Sequence, residues 1–139
     1  MDLPTLPPGY EPSEQEDYMS PLHLAFFRKE LEAWKQSLVD QAGETLKTLA
    51  NEPMQAAEST DRASFETNKA FELRTRDRAR KLIRKIDQAI FRIENGEYGY
   101  CVETGDPIGL KRLQARPIAT MTIEAQEAHE KSEKMTVRA

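Results

Sequence analysis

The run Leu24-Ala25-Phe26-Phe27-Arg28-Lys29-Glu30-Leu31-Glu32-Ala33-Trp34-Lys35-Gln36-Ser37-Leu38 decides the fold. Within it Leu24, Phe27, Leu31, Trp34 and Leu38 recur at alternating steps of three and four. That spacing lays one apolar stripe along an α-helix and closes it against a second helix as a coiled-coil seam. A helix start precedes the run: Ser20 is the N-cap and Pro21 takes the first helical position, where a missing N–H leaves no hydrogen bond unmade. After Leu38 the steps become four and four through Ala42 and Leu46, a local stutter in the repeat. Helix formers continue to about Ala50, for a length of roughly 45 Å at 1.5 Å per residue.

Asn51-Glu52-Pro53 stops this helix, and the polar segment to Thr60 carries Pro53 and Ser59 as breakers. A second helix is expected from near Asp61, capped by Thr60 or Asp61. Its seam is Ala79, Leu82, Ile86, Ala89 and Ile93, and the same register projected back gives Phe65, Asn68, Glu72 and Thr75. The two seams satisfy each other across a short loop, so residues 20–95 form a hairpin with its tip at about 51–62, well packed at the base and polar toward the tip. Ordering the backbone costs roughly 1–2 kcal/mol per residue, so a weakly packed hairpin end is expected to exist for contact.

Residues 1–19 hold Pro4, Pro7, Pro8 and Pro12, five acids and no Lys or Arg, which reads as an extended arm. Asn95 and Gly96 end the second helix. Residues 96–117, with Gly99, Gly105, Gly109, Pro107 and Pro117, form a turn-rich lobe. A third helix is expected over about Ile118–Glu133, with Met121, Ile123 and Ala128 partly buried, in a C-terminal segment of residues 118–139. The fold class is therefore all-α: a long antiparallel coiled-coil hairpin projecting from a small globular lobe, with a C-terminal helix.

Hydrophobic residues are 38% and charged residues 32% of the 139, a lean balance that suits long solvent-facing helices with a narrow buried stripe. The net charge of −4 gives no general attraction to nucleic acid. No apolar run approaches the roughly 20 residues that span a bilayer, and Met1-Asp2-Leu3-Pro4 does not open a signal peptide. With a single cysteine there is no intrachain disulfide, and the expected location is the cytoplasm.

Catalysis has little support. His23 and His129 are far apart in sequence, no serine stands in a tight glycine-flanked turn, and no glycine-rich phosphate loop is present. His23, beside the helix cap, reads as a surface histidine. The most charged segment carries Arg74, Arg78, Lys81 and Lys85 on one helical stripe and Arg76, Arg80 and Arg84 on the adjacent one. Either it binds anions or an acidic groove, or it is a solvated face paired across the hairpin with Glu30, Glu32, Asp40 and Glu44. Glu58 and Asp61 flank the start of the second helix, as caps or as carboxylates carried on a stalk. Cys101 follows Tyr98-Gly99-Tyr100, but a CxxC partner would fall on Thr104, so the lobe reads as metal-free. Tyr98, Tyr100, Ile108, Leu110, Leu113, Ile118, Met121 and Ile123 are expected to hold it together.

Several ordered segments resemble the DksA/TraR family of bacterial RNA polymerase regulators, over nearly the whole chain. They are Phe27-Arg28-Lys29-Glu30-Leu31-Glu32-Ala33-Trp34, Asp61-Arg62-Ala63, the stretch from Glu72-Leu73-Arg74 to Ile83, Tyr98-Gly99-Tyr100-Cys101, and Pro107 to Pro117. The resemblance implies a hairpin that enters the secondary channel of RNA polymerase and brings its acidic tip toward the active site. It also implies destabilised open promoter complexes, action with ppGpp in the stringent response, lowered ribosomal-RNA transcription and raised transcription of amino-acid biosynthesis genes. By position it assigns Glu58, Asp61 and Ala63 to the polymerase-binding tip, Arg78 to the polymerase rim, and Leu82, Lys85 and Arg116 to a ppGpp site at the polymerase interface. The family usually has Asp where Glu58 stands, and a further lysine of the ppGpp site corresponds to Gln126. The family's four zinc-ligating cysteines correspond to Cys101, Thr104, Thr122 and Ala125, so the lobe is a degenerate zinc finger in which zinc is expected to be absent. Such a variant suits zinc limitation or oxidation. The expected protein is a monomeric non-enzyme that binds polymerase and no specific DNA sequence. A nucleic-acid-binding helical protein using the Arg74–Lys85 stripe, and a self-associating coiled coil, are the competing readings.

Overall fold

The structure, a computed structural model, describes residues 3–51 and 59–138, with side chains described for residues 3–43 and 66–135. Four helices follow one another: α1 (Pro21–Asn51), α2 (Ser59–Glu94), α3 (Leu110–Ala115) and α4 (Ile123–Arg138). Among the described residues no strand forms; Tyr100 and Pro107 make an isolated antiparallel bridge. The fold is all-helical, and α1 and α2 are the two arms of a coiled-coil hairpin.

Local chemistry sets the helix ends. The Ser20 hydroxyl accepts from the His23 N–H at 3.3 Å and the Ser20 carbonyl accepts from Leu24 N–H at 3.0 Å, so α1 starts at Pro21 as its sequence requires. At the end of α2, Glu97 N–H donates to Arg92 O at 2.9 Å and Gly96 N–H to Ile93 O at 3.2 Å. Gly96 sits at φ +72°, the left-handed conformation that lets this pair of bonds close over the last carbonyls.

The C-terminal third departs from the expectation. Residues 110–115 are helical although a run of turns is expected there, because six residues between Gly109 and Pro117 are too short to display a period. Leu110 and Leu113 point into the core from this turn and a half. The last helix begins at Ile123 rather than Ile118 because Thr122 caps it: its hydroxyl accepts from Ala125 N–H at 3.1 Å and its carbonyl from Gln126 N–H at 2.9 Å. Ile118 and Ala119 are buried in irregular backbone instead. Met121 is half-buried, whereas Ile123 and Ala128 are exposed, contrary to the expected partial burial.

Two compact units divide the chain: residues 1–31 with 87–139, and residues 32–86. The first holds the main core, in which Phe27, Leu31, Ile93, Tyr98 and Leu113 are almost fully enclosed. Tyr98 stacks at a tilt on Phe27 with centroids 5.6 Å apart, and its hydroxyl donates to Pro117 O at 2.7 Å. In the second unit Ile86 is fully buried, while Trp34, Leu38, Ala42, Ala79 and Leu82 are half-buried. Toward the tip the less exposed positions are Lys69, Glu72 and Arg76, not the Asn68 and Thr75 of the projected register. Glu72, Ala79, Leu82 and Ile86 keep the projected register, and only its positions at 68 and 75 are displaced by one residue, to 69 and 76. The interior there is polar: Glu72 Oε2 is buried without a hydrogen-bond partner among the described residues.

The arm is not merely extended. Turns close at Pro7–Tyr10, Ser13–Glu16 and Asp17–Ser20. Tyr18 ties the arm to the lobe, its hydroxyl donating to Gly99 O at 2.6 Å and accepting from Gly109 N–H at 2.9 Å.

Candidate functional site

Three groups of residues carry the functional expectations. The first is the hairpin tip. Glu58 lies outside the described residues; Asp61 and Ala63 fall in the first turns of α2.

The second is the basic stripe. From Arg74 to Lys85, α2 carries seven cations and one acid, Asp77. Arg74, Arg78, Lys81 and Lys85 are exposed, as are Arg80 and Arg84. Arg80 approaches Asp77 at 4.0 Å on the same helix. Arg74, Arg78, Lys81 and Lys85 make no ion pair with a described residue. The pairing across the hairpin that a purely solvated face would show is not seen with Glu30 or Asp40; Asp40 instead accepts from Gln36 at 3.0 Å. Seven like charges within 12 residues repel one another on an isolated helix. Arg78, Leu82 and Lys85 share one face of α2 at spacings of four and three, with Leu82 half-buried between two exposed cations. Arg116 is exposed just beyond α3, in the other unit. Gln126 is engaged within its own unit, accepting from Arg112 at 3.4 Å and donating to Glu130 at 3.2 Å.

The third group is the degenerate finger. The structure brings Thr104 and Thr122 to Cys101, and the Ala125 N–H donates to the Thr122 hydroxyl. The buried Cys101 sulfur sits among the Thr104 hydroxyl and the backbone N–H groups of Thr122, Thr104 and Glu103. The backbone around it is clamped by Cys101 N–H to Asp106 O at 2.8 Å and Val102 N–H to Thr120 O at 2.9 Å. Burial pushes the thiol pKa up, but the Thr104 hydroxyl and the three backbone donors outweigh it and bring the value down from 9.0 to about 7. A lowered folded-state pKa adds stability that is fully present above the unfolded value and is lost as pH falls through the folded one. The stability advantage of the native chain over Cys101→Ser is therefore expected to grow from pH 7 to pH 9 and to become independent of pH below about pH 7. Thermal melts of both proteins across that range check this; a gap that does not change with pH would mean the thiol stays protonated.

His23 is the clearest correction among single residues. Expected at the surface, it is fully buried. Its Nδ1 accepts from Met19 N–H at 3.2 Å, which places the ring proton on Nε2, facing Ser13 O at 3.1 Å and Glu16 Oε2 at 3.2 Å. It fastens the arm to the start of α1. Nothing in its own helix signals this, because all three partners of the ring come from the proline-rich arm.

Among the described residues no group of three or more His, Cys, Asp or Glu gathers to hold a metal, and no helix is long and apolar enough to cross a membrane.

The family model "DnaK suppressor protein DksA, N-terminal domain" matches residues 23–93, and "Prokaryotic dksA/traR C4-type zinc finger" matches residues 96–131. The RNA polymerase-binding transcription factor DksA of Caulobacter vibrioides is 55% identical over 126 residues, covering 91% of this chain and 89% of that protein. Its counterpart in Escherichia coli K12 is 40% identical over 129 residues, covering 91% and 85%. The structure of transcription factor DksA2 from Pseudomonas aeruginosa superposes with a TM-score of 0.79 at 41% identity, covering 86% of this chain and 94% of that one. The four-cysteine zinc that the finger's description implies does not fit the residues present here. One thiolate, two threonine hydroxyls and an alanine do not make a tetrahedral set of Cys or His ligands, and Ala125 offers no side-chain donor at all.

Proposed function

The chain belongs to the DksA family, and from that premise we propose that it is a transcription regulator that binds RNA polymerase directly. In this reading the α1–α2 tip enters the secondary channel of the enzyme and destabilises open promoter complexes together with ppGpp. The observation that carries it is the exposed stripe on α2, whose Arg74, Arg78, Lys81 and Lys85 make no ion pair with a described residue. Arg78 takes the polymerase rim, Glu58, Asp61 and Ala63 form the contact at the tip, and Leu82, Lys85 and Arg116 hold ppGpp at the interface. Gln126, standing where relatives have a lysine, lowers the positive charge offered to ppGpp without removing it. No zinc is needed for this activity, no reaction is catalysed, and the protein works as a monomer in the compartment that holds the polymerase.

Multi-round transcription from a ribosomal-RNA promoter, with purified polymerase and with or without ppGpp, tests the reading. The native chain is expected to inhibit, and Asp61→Asn, which removes one charge and leaves the size unchanged, to lose most of that inhibition while still folding and binding polymerase. Equal inhibition by both proteins would sink the role of the tip. If the stripe instead serves nucleic acid, bare DNA or RNA would bind at micromolar or tighter affinity in physiological salt, with a steep salt dependence.

A further inference from the structure

A recess lies within the unit formed by residues 1–31 and 87–139. It is an open cleft of about 380 Å³ between the arm, α1 and the turn after α3. Its walls are Tyr10, Phe26 and Pro117, backed by the fully buried Phe27, and Glu11 and Glu30 also line it. The aromatic rings are fixed edge to face: Tyr10 and Phe26 have centroids 6.3 Å apart at 63°, and Phe26 and Phe27 5.3 Å apart at 83°. Tyr10 is held from behind, its hydroxyl donating to Glu16 at 2.7 Å, so the ring is already placed before anything binds. Glu16 is in turn occupied by Tyr10, Ser13 N–H and His23. Glu11 and Glu30 are different: both are exposed, and neither has a hydrogen bond or ion pair with a described residue. No Lys or Arg lines the cleft.

Aromatic faces beside two uncompensated carboxylates select a cation and reject an anion. They suit arginine better than lysine, because a planar guanidinium stacks on a ring while its fork of N–H donors reaches carboxylates. The volume stands near the low end of small-molecule sites, roughly 300–1,000 Å³, which is room for one long side chain rather than a cofactor. We propose that this cleft is a docking site for an arginine side chain presented by an extended segment of a partner polypeptide. It needs neither the basic stripe nor the tip, and it stands whether or not polymerase is the partner.

Titration of the ¹⁵N-labelled full-length chain with acetyl-Gly-Arg-Gly-amide tests the site. Saturable amide shifts are expected at Gly9–Glu11, Phe26–Glu30 and Gln114, with a dissociation constant on the order of millimolar, as befits a single side chain. The same peptide with citrulline, which keeps the shape and loses the charge, is expected to bind about tenfold more weakly, as is the arginine peptide to Glu11→Gln/Glu30→Gln. Both substitutions are at exposed positions and leave the core untouched, so folding is preserved. The proposal fails if the citrulline peptide or a leucine peptide binds as well as arginine, if the double variant binds unchanged, or if the shifts are unsaturable or fall elsewhere.

Discussion

Replacing Phe27 by alanine is expected to remove about 3–5 kcal/mol of stability, the range for deleting a large side chain from a site that cannot collapse. Phe27 is fully buried, packs on Tyr98 at 5.6 Å and meets Phe26 edge to face. It belongs to α1 by sequence and to the lobe core by contact, so the void would open where helix and lobe meet. A domain of this size holds about 5–15 kcal/mol in total, so the loss is a large fraction of it. Urea unfolding followed by far-ultraviolet circular dichroism reads the effect as a lower midpoint. Phe27→Leu, which keeps most of the volume, is expected to lose less than half as much. If the alanine variant unfolds within about 1 kcal/mol of the native chain, the lobe is held by its hydrogen-bond clamps and not by this ring.

That clamp chemistry is what the sequence conceals. Leu24, Phe27 and Leu31, and later Ile86, Ala89 and Ile93, announce their burial because a helix repeats its inward face every three or four residues. The start of α1 was equally legible, since Ser20 and Pro21 act through bonds three and four residues away, whereas α2 begins at Ser59, a residue expected to break the helix, and α4 begins five residues later than expected. Nearer the tip the apolar signal fades, and a register projected from Ala79 holds at Glu72 but falls one residue short of Lys69 and Arg76. In the lobe no period exists to read. Tyr18 reaches Gly109 across 91 residues, His23 finds Ser13 and Glu16 in an arm whose composition promised only extension, and Arg112 donates to Met121 O at 2.9 Å. Such bonds depend on where turns bring distant backbone, which no local pattern encodes. The candidate site divides in the same way. The stripe is visible as charge at helical spacing, whereas the cleft between the arm, α1 and the turn after α3 is visible only once those segments are in place.

Restoring three cysteines, by Thr104→Cys, Thr122→Cys and Ala125→Cys, is expected to turn the lobe into a tight zinc site, while the native chain purifies with less than about half an equivalent of the metal. The positions are already gathered: the Cys101 sulfur lies beside Thr104 and Thr122, and the Thr122 hydroxyl meets Ala125 N–H at 3.1 Å. Four thiolates closing at about 2.3 Å around a tetrahedral ion supply an apparent binding free energy of about 10–16 kcal/mol in small zinc-binding peptides. Part of that would here be offset by losing the Thr104 hydroxyl bond and the cap that Thr122 gives α4. Elemental analysis after native purification reads the stoichiometry, and melting with and without a chelator reads the coupling to stability. The rebuilt chain should carry one zinc and lose several degrees or more on chelation, since about 1 kcal/mol moves the midpoint of a small domain by about 4–8 °C. The native chain should melt unchanged by chelator, because one thiol, two threonines and an alanine do not make a tetrahedral zinc set. A native chain that arrives with stoichiometric zinc, or melts lower on chelation, would mean that Cys101 recruits other ligands, and that the lobe is metal-dependent after all.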